Sequence, residues 1–381
     1  MDFTLSPEQK ALRESIRAFA KAELNDDLIA RDRDQVFRRD LWKKCGDMML
    51  QGLPVPETYG GAAADGLTTA IALEALGYGC EDSGLVFAIC AHLLSCVVPF
   101  WKHGSEEQKR KYLPGLCDGT LVGVHAMTEP DSGSDAYNMR TTATPDGDGW
   151  RINGTKTFIS NGPEADVIVV FAVTDKAKGF HGGITTFVLE KSTPGFSSRK
   201  IEKMGIRTAP FGELFFDNVY VGPDAILGQL GGGGQSFIPT MDWERVCLFA
   251  GHVGTMERLV ETAVSYARTR QQFGQPIGKF QAIQHKVADM KMRLEASRLL
   301  VYKAASMLDK SKMVGLDAAM AKVFVSESLV QVAMDTMQIH GGYGYCTEYQ
   351  VERQVRDALG STLYSGTSEM QRQTIARWMG L

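Results

Sequence analysis

Trp150-Arg151-Ile152-Asn153-Gly154-Thr155-Lys156-Thr157-Phe158-Ile159-Ser160 is where the chain stops reading as helix. β-branched and aromatic residues crowd this stretch, and Asn153-Gly154 is a hairpin signal. Val167 to Val173, Ile184 to Leu189 and Glu213 to Val221 have the same character, divided by Gly, Asn and Pro. Short strands punctuated in this way predict a small β-barrel or sandwich over residues 121–230.

Helical patterns flank that segment on both sides. On the N-terminal side, Ser6 is an N-cap followed by Pro7, and Leu12, Ile16, Phe19 and Ala20 recur at helical spacing. Pro54, Pro56 and Gly60-Gly61 break the chain before two more helices, Leu67 to Tyr78 and Ser83 to Phe100. The second is so apolar that burial on most sides is expected. On the C-terminal side, Gly231 to Gly234 reads as a flexible hinge. Met241-Asp242-Trp243-Glu244-Arg245 then opens a long helix, with further apolar faces around Val287 to Val301 and Ser326 to Ile339. The order is helices over 1–120, strands over 121–230 and helices over 231–381.

A chain of 381 residues can bury a large core. Its net charge of −4, with no run of like charges, gives no nucleic-acid or membrane footprint. No apolar run is expected to reach spanning length. The N-terminus lacks the basic and apolar regions of a signal peptide. The seven cysteines are odd in number, scattered and without a C-x-x-C pair, which favours reduced thiols in a cytoplasm over disulfides or zinc. Cys90 and Cys96 lie in the apolar run and read as small buried hydrophobes.

Four loops carry candidate chemistry. In His125-Ala126-Met127-Thr128-Glu129-Pro130-Asp131-Ser132-Gly133-Ser134-Asp135, Gly133 lets backbone approach a phosphate and Ser134 offers donors. Arg270-Gln271-Gln272-Phe273-Gly274 sets a guanidinium beside a glycine turn, which suits a diphosphate. Gln338-Ile339-His340-Gly341-Gly342 ends a helix on tandem glycines, and Tyr364-Ser365-Gly366-Thr367-Ser368-Glu369 opens the last helix. Taken singly, each has a bland reading: a polar connection, a surface arginine or a glycine cap.

Taken together, their types, order and spacing resemble the acyl-CoA dehydrogenase family along essentially the whole chain. The signatures are Thr128-Glu129-Pro130 with Gly133-Ser134-Asp135, Asn153-Gly154 with Lys156, Arg270 with Phe273-Gly274, Gln338 with Gly341-Gly342, and Gly366-Thr367-Ser368-Glu369. The resemblance implies an α+β, mostly α fold: an N-terminal helical domain, a β-barrel and a C-terminal four-helix bundle that holds FAD. It implies flavin contacts at Met127, Thr128, Gly133, Ser134 and Phe158-Ile159-Ser160. It implies contacts to the adenine half of an FAD, typically a neighbouring subunit's, at Arg270, Phe273, Gln281, Gln338, Ile339, Gly341 and Gly342. Thr367 and Glu369 would approach the cofactor from the last helix. A shared site implies a homodimer or homotetramer.

Two positions depart from the common pattern. Many members carry Trp where this chain has Phe158, and many carry a catalytic Glu where it has Ser365. A hydroxyl cannot act as the base at neutral pH. The isovaleryl and long-chain branches place the base on the helix that follows Trp243, and Glu244 matches that position. The bland alternative is a helix-start carboxylate favoured by the dipole. By resemblance, Glu244 takes the α-proton of an acyl thioester, flavin N5 takes the β-hydride, and the Ser365 backbone N–H bonds the thioester oxygen.

Gly77 to Phe87, Met241 to Phe249 and Leu363 to Ser368 look like the subgroup that oxidises prolyl groups tethered to peptidyl carrier proteins in natural-product pathways. Ser134, Arg245 and Tyr364 would then meet the substrate. The implied partners are a carrier protein or CoA thioester, with electron-transferring flavoprotein or oxygen as electron acceptor. Rival readings are a dehydrogenase of free short- or branched-chain acyl-CoA, an oxygen-using acyl-CoA oxidase, and a flavin-binding protein without turnover.

Overall fold

A computed structural model describes residues 4–310 and 314–381. The chain begins with the predicted cap: Ser6 and Gln9 form a reciprocal capping box on helix Pro7–Glu23. Helices Gly66–Gly79 and Ser83–His92 follow, the latter running on through a π-helical segment, Leu93–Val97, into Val98–His103.

This run corrects one expectation. Ser83–His103 is 21 residues long and, by length and composition, apolar enough to cross a membrane. In the fold 89% of its most apolar 18-residue stretch is buried, as in the core helix of a globular protein. Cys90 and Cys96 are buried within it, as expected.

The middle of the chain forms one seven-stranded sheet. Its strands are β1 (Gly123–Ala126), β2 (Thr142–Asp146), β3 (Gly149–Ser160), β4 (Val167–Val173), β5 (Ile184–Glu190), β6 (Phe196–Lys200) and β7 (Phe211–Val221). The order is β1-β4-β2-β3-β7-β6, with β5 pairing β4. The sheet closes on its own apolar core, which includes Ile152, Ile159, Val170, Phe187, Leu214 and Val219.

Asn153-Gly154 is not the hairpin turn that its dipeptide suggests. The β2–β3 turn is at Gly147-Asp148, between paired Asp146 and Gly149. Asn153-Gly154 lies within β3, where the register against β7 shifts between Ile152 and Gly154. Gly154 has φ +154°, and a Cβ there would sit 2.4 Å from Thr141 Oγ1. The Asn-Gly pair therefore makes a bulge against a crowded neighbour. A second shift lies between Lys156 and Ile159, and Phe158 within it has φ +59°.

The helical C-terminal part consists of Gly233–Thr269, Gln281–Ala305, Gly315–His340, Val351–Gly360 and Ser368–Trp378. The first of these packs on Gly66–Gly79, on Gln281–Ala305 and on Gly315–His340. It begins at Gly233, inside the glycine run expected to be a hinge, and includes Pro239. Glu244 is therefore well inside the helix, and the helix-start reading of it falls away. Gly77 and Gly254 fix the depth of the contact. A Cβ on Gly77 would lie 2.0 Å from the Gly251 carbonyl oxygen, and one on Gly254 would lie 2.0 Å from that of Glu74. The two helices meet backbone to backbone there, and about ten residues earlier on the long helix Glu244 faces Ser95 of the apolar run.

Candidate active site

The carboxylate of Glu244 sits between two hydroxyls. Ser95 Oγ donates to one oxygen and Ser365 Oγ to the other. Ser95 lies in the π-helical segment Leu93–Val97. Wider π turns interrupt a helix locally and often occur at functional sites. Ser365 lies about 120 residues beyond Glu244 in sequence, in the turn before the last helix, and has φ +57°. The structure thus brings together the two positions that sequence pairs. It adds Ser95, which sequence reasoning passed over inside an apolar run.

The turn at Ser365 is held from several sides. Arg245 Nε donates to its carbonyl at 3.2 Å, and Gln371 Nε2 donates to the same oxygen at 3.1 Å. The Ser365 N–H has no hydrogen-bond partner among the described residues. Arg245 is largely buried and turned onto this carbonyl, with Asp242 3.9 Å away. Burial pushes the Asp242 carboxyl up to about 6, against the pull of Arg245. Tyr364 packs against Phe87, ring centroids 4.7 Å apart, and its hydroxyl is 2.6 Å from His252 Nε2. Burial pushes His252 down to about 3, with Lys322 adding to the shift, so the imidazole is neutral. Tyr364 is thus a fixed wall beside Ser365.

Behind this site, strand β1 carries His125. Its Nδ1 is 3.1 Å from the Ser95 carbonyl oxygen. The same strand leads into Met127, which is buried, and Thr128, which is half-buried. The Thr128 carbonyl accepts from the Thr157 N–H at 2.9 Å, which ties this loop to the β3 segment before Phe158. Ile159 turns its side chain into the sheet core, Ser160 is half-buried, and Phe158 is 59% exposed. Glu129 is buried and accepts from Lys156 Nζ at 2.8 Å, from the Thr141 N–H at 2.9 Å and from the Arg140 N–H at 2.5 Å. Burial opposes its charge, but the Lys156 ammonium beside it holds its carboxyl below the usual range. This pair braces the loop that ends in exposed Gly133 and Ser134.

A third group lies at the far end of the helical part. A cavity of about 510 Å³ is lined by Arg270, Ile339, Gly341, Gly342, Tyr266 and Tyr343, among others. Phe273, at the tip of the Gln271–Pro276 hairpin, is 92% exposed. Gln281 and Gln338 are also exposed. Gly341 and Gly342 have open space where a Cβ would stand. Thr367 caps the last helix by accepting from the Met370 N–H, and Glu369 is exposed in its first turn.

An FAD fits these surroundings. A cradle without side chains faces an arginine, as a diphosphate requires. The exposed rings of Phe158 and Phe273 offer flat apolar contacts of the kind a ring cofactor covers.

Family models for the acyl-CoA dehydrogenase N-terminal, middle and C-terminal domains match residues 6–120, 125–219 and 231–380. The chain belongs to the acyl-CoA dehydrogenase family, a family of oxidoreductases that act on CH–CH bonds. It is 40% identical to an L-prolyl-[peptidyl-carrier protein] dehydrogenase from a Serratia species, covering 100% of this chain and 99% of that one. The crystal structure of the prolyl acyl carrier protein oxidase AnaB has a TM-score of 0.97 and 46% identity, covering 99% of this chain and 100% of the other. The butyryl-CoA dehydrogenase of Megasphaera elsdenii superimposes with a TM-score of 0.96 at 39% identity, with both chains fully covered.

Proposed function

We propose that the protein is an FAD-dependent dehydrogenase of acyl thioesters carried on a carrier protein, with a prolyl group as substrate and Glu244 as base. The observation that carries the reading is the Ser95–Glu244–Ser365 arrangement. A carboxylate held by two neutral donors, with no cation as direct partner among the described residues, is positioned yet able to accept a proton. Full-length similarity to an L-prolyl-[peptidyl-carrier protein] dehydrogenase and to AnaB supports the substrate class. Likeness to the structure of PigA with FAD and proline, a protein 40% identical to this chain, supports the cofactor.

The residues divide the work. Ser95 and Ser365 aim the Glu244 carboxylate at the α-hydrogen. The Ser365 N–H, without a partner among the described residues, donates to the thioester oxygen as negative charge develops there. Arg245 and Gln371 hold the Ser365 carbonyl and so fix the turn that carries that N–H. Phe87 and Tyr364 form an apolar wall that excludes water. Bound FAD would accept the hydride from the β-carbon. Met127, Thr128, Gly133, Ser134 and Phe158 to Ser160 would hold its flavin half, and Thr367 and Glu369 would approach it from the last helix. Arg270, Phe273, Gln281, Gln338, Ile339, Gly341 and Gly342 would hold the adenine half of a partner's FAD, in a homodimer or homotetramer. The division into segments 1–120, 121–230 and 231–381 and a cytoplasmic location belong to the same reading. So does electron-transferring flavoprotein or oxygen as the electron acceptor.

The test is anaerobic bleaching of the flavin on mixing the purified holoprotein with prolyl-loaded carrier protein, butyryl-CoA or isovaleryl-CoA. Bleaching by the carrier and not by the CoA esters is expected. The reverse pattern would make it an acyl-CoA dehydrogenase like its Megasphaera relative, and no bleaching by any of the three would point to a binding protein.

A further inference from the structure

We propose that His125 selects an amine-bearing acyl group by accepting a hydrogen bond from an N–H on the atom next to the substrate's α-carbon. The inference rests on the function proposed above and deepens it. Ser95 links the two side chains: its hydroxyl donates to Glu244, and its carbonyl oxygen is 3.1 Å from His125 Nδ1. A carbonyl only accepts, so Nδ1 carries the ring proton. Burial lowers the His125 pKa, against the pull of Glu244, and keeps the ring neutral. Nε2 is then a bare lone pair. It is buried and has no hydrogen-bond partner among the described residues. Phe171 and Phe237 flank the ring, with centroids 4.8 and 5.9 Å away, and restrict its rotation.

The bland alternative is a core histidine with its bonds satisfied, and His92 shows what that looks like here. Its Nε2 is 2.8 Å from the Leu116 carbonyl oxygen, and its Nδ1 takes the Gly123 N–H at 2.9 Å. His125, two residues further along the chain than Gly123, has one nitrogen used and one unpaired. Its place also matters. If Glu244 takes the α-proton, the α-carbon stands beside the Ser95–Glu244 pair. In a prolyl thioester the ring nitrogen is bonded to that carbon. A plain acyl chain has only C–H bonds there and would leave the buried acceptor unpaired, which is the strongest way a site rejects a near-isostere.

The experiment compares carrier protein loaded with proline against the same carrier loaded with cyclopentanecarboxylate, which replaces the ring N–H by CH2. Wild-type holoenzyme should reduce its flavin with the prolyl carrier faster by about a hundredfold or more. In His125→Phe that ratio should fall by roughly tenfold to a hundredfold. His125→Gln, which keeps an acceptor oxygen, should recover part of it. An unchanged ratio in His125→Phe would overturn the assignment. A second readout needs no variant. The Nε2 resonance of nitrogen-labelled histidine should shift when a non-reducible prolyl-amide carrier binds and stay in place with the cyclopentyl amide. Equal shifts with both would also overturn it. Wild-type protein that bleaches with neither carrier would overturn the proposed function and this assignment together. Bleaching with the prolyl carrier alongside an unchanged His125→Phe ratio would remove this assignment alone.

Discussion

Glu129 and Glu244 are both carboxylates held by hydrogen bonds, and their partners differ in kind. Glu129 is 4% exposed and takes a lysine ammonium and two backbone N–H groups, so its charge is fully compensated. Glu244 takes two serine hydroxyls, while the guanidinium next to it in sequence is bonded elsewhere. The first arrangement locks a loop. The second leaves a carboxylate positioned by neutral donors, as the proposed base requires. The same contrast recurs between His92, with both nitrogens bonded, and His125, with one. Partner chemistry, more than burial, separates groups that build the fold from groups available to a substrate.

The largest effect expected on stability tests the locked member. Glu129→Gln leaves the fully buried Lys156 without its carboxylate, so the amine must stay uncompensated or give up its proton, and the change should cost about 3–5 kcal/mol. Glu244→Gln strands no cation and should stay within about 1 kcal/mol of wild type. Denaturant unfolding of the two variants checks this, and equal losses would erase the distinction.

His92 gives the next effect. Burial pushes its pKa down to about 4. The unfolded chain binds its proton near the ordinary 6.5, so stability is complete above that pH and declines as pH falls toward about 4. The loss should total roughly 3 kcal/mol, and His92→Gln should flatten that part of the pH–stability curve.

Ser95→Ala and Ser365→Ala each remove one donor from Glu244. Each should lower flavin reduction by about tenfold to a hundredfold, as expected for hydrogen bonds to a charged group. Their combined effect should depart from the sum of the two, because both position one carboxylate. Gly341→Ala, at φ 60° and ψ −138°, a conformation largely reserved for glycine, is strained by about 1–3 kcal/mol and should weaken FAD retention, read as flavin lost on dilution.

Much of this was legible in sequence. The helix–strand–helix order came from periodicity, and the pairing of Glu244 with Ser365 came from the family resemblance, which expects a carboxylate at the one position or the other. Other features were not. Asn153-Gly154 has the composition of a turn, but the crowding against Thr141 that makes it a bulge is a tertiary fact. The long helix absorbs Gly233, Gly234 and Pro239, residues that break isolated helices, because its first turn packs closely on Ile184 and Phe180 and that packing outweighs propensity. Ser95 was hidden because one serine in an apolar helix carries no periodic signal. Only its π-helical turn and the carboxylate opposite reveal its use.

The most direct measurement is anaerobic single-turnover mixing of Glu244→Gln holoprotein with prolyl-loaded carrier protein. The account predicts a protein that binds FAD and stays yellow, its flavin reduced at least about a thousandfold more slowly than in wild type. Bleaching at the wild-type rate would show that another group takes the proton.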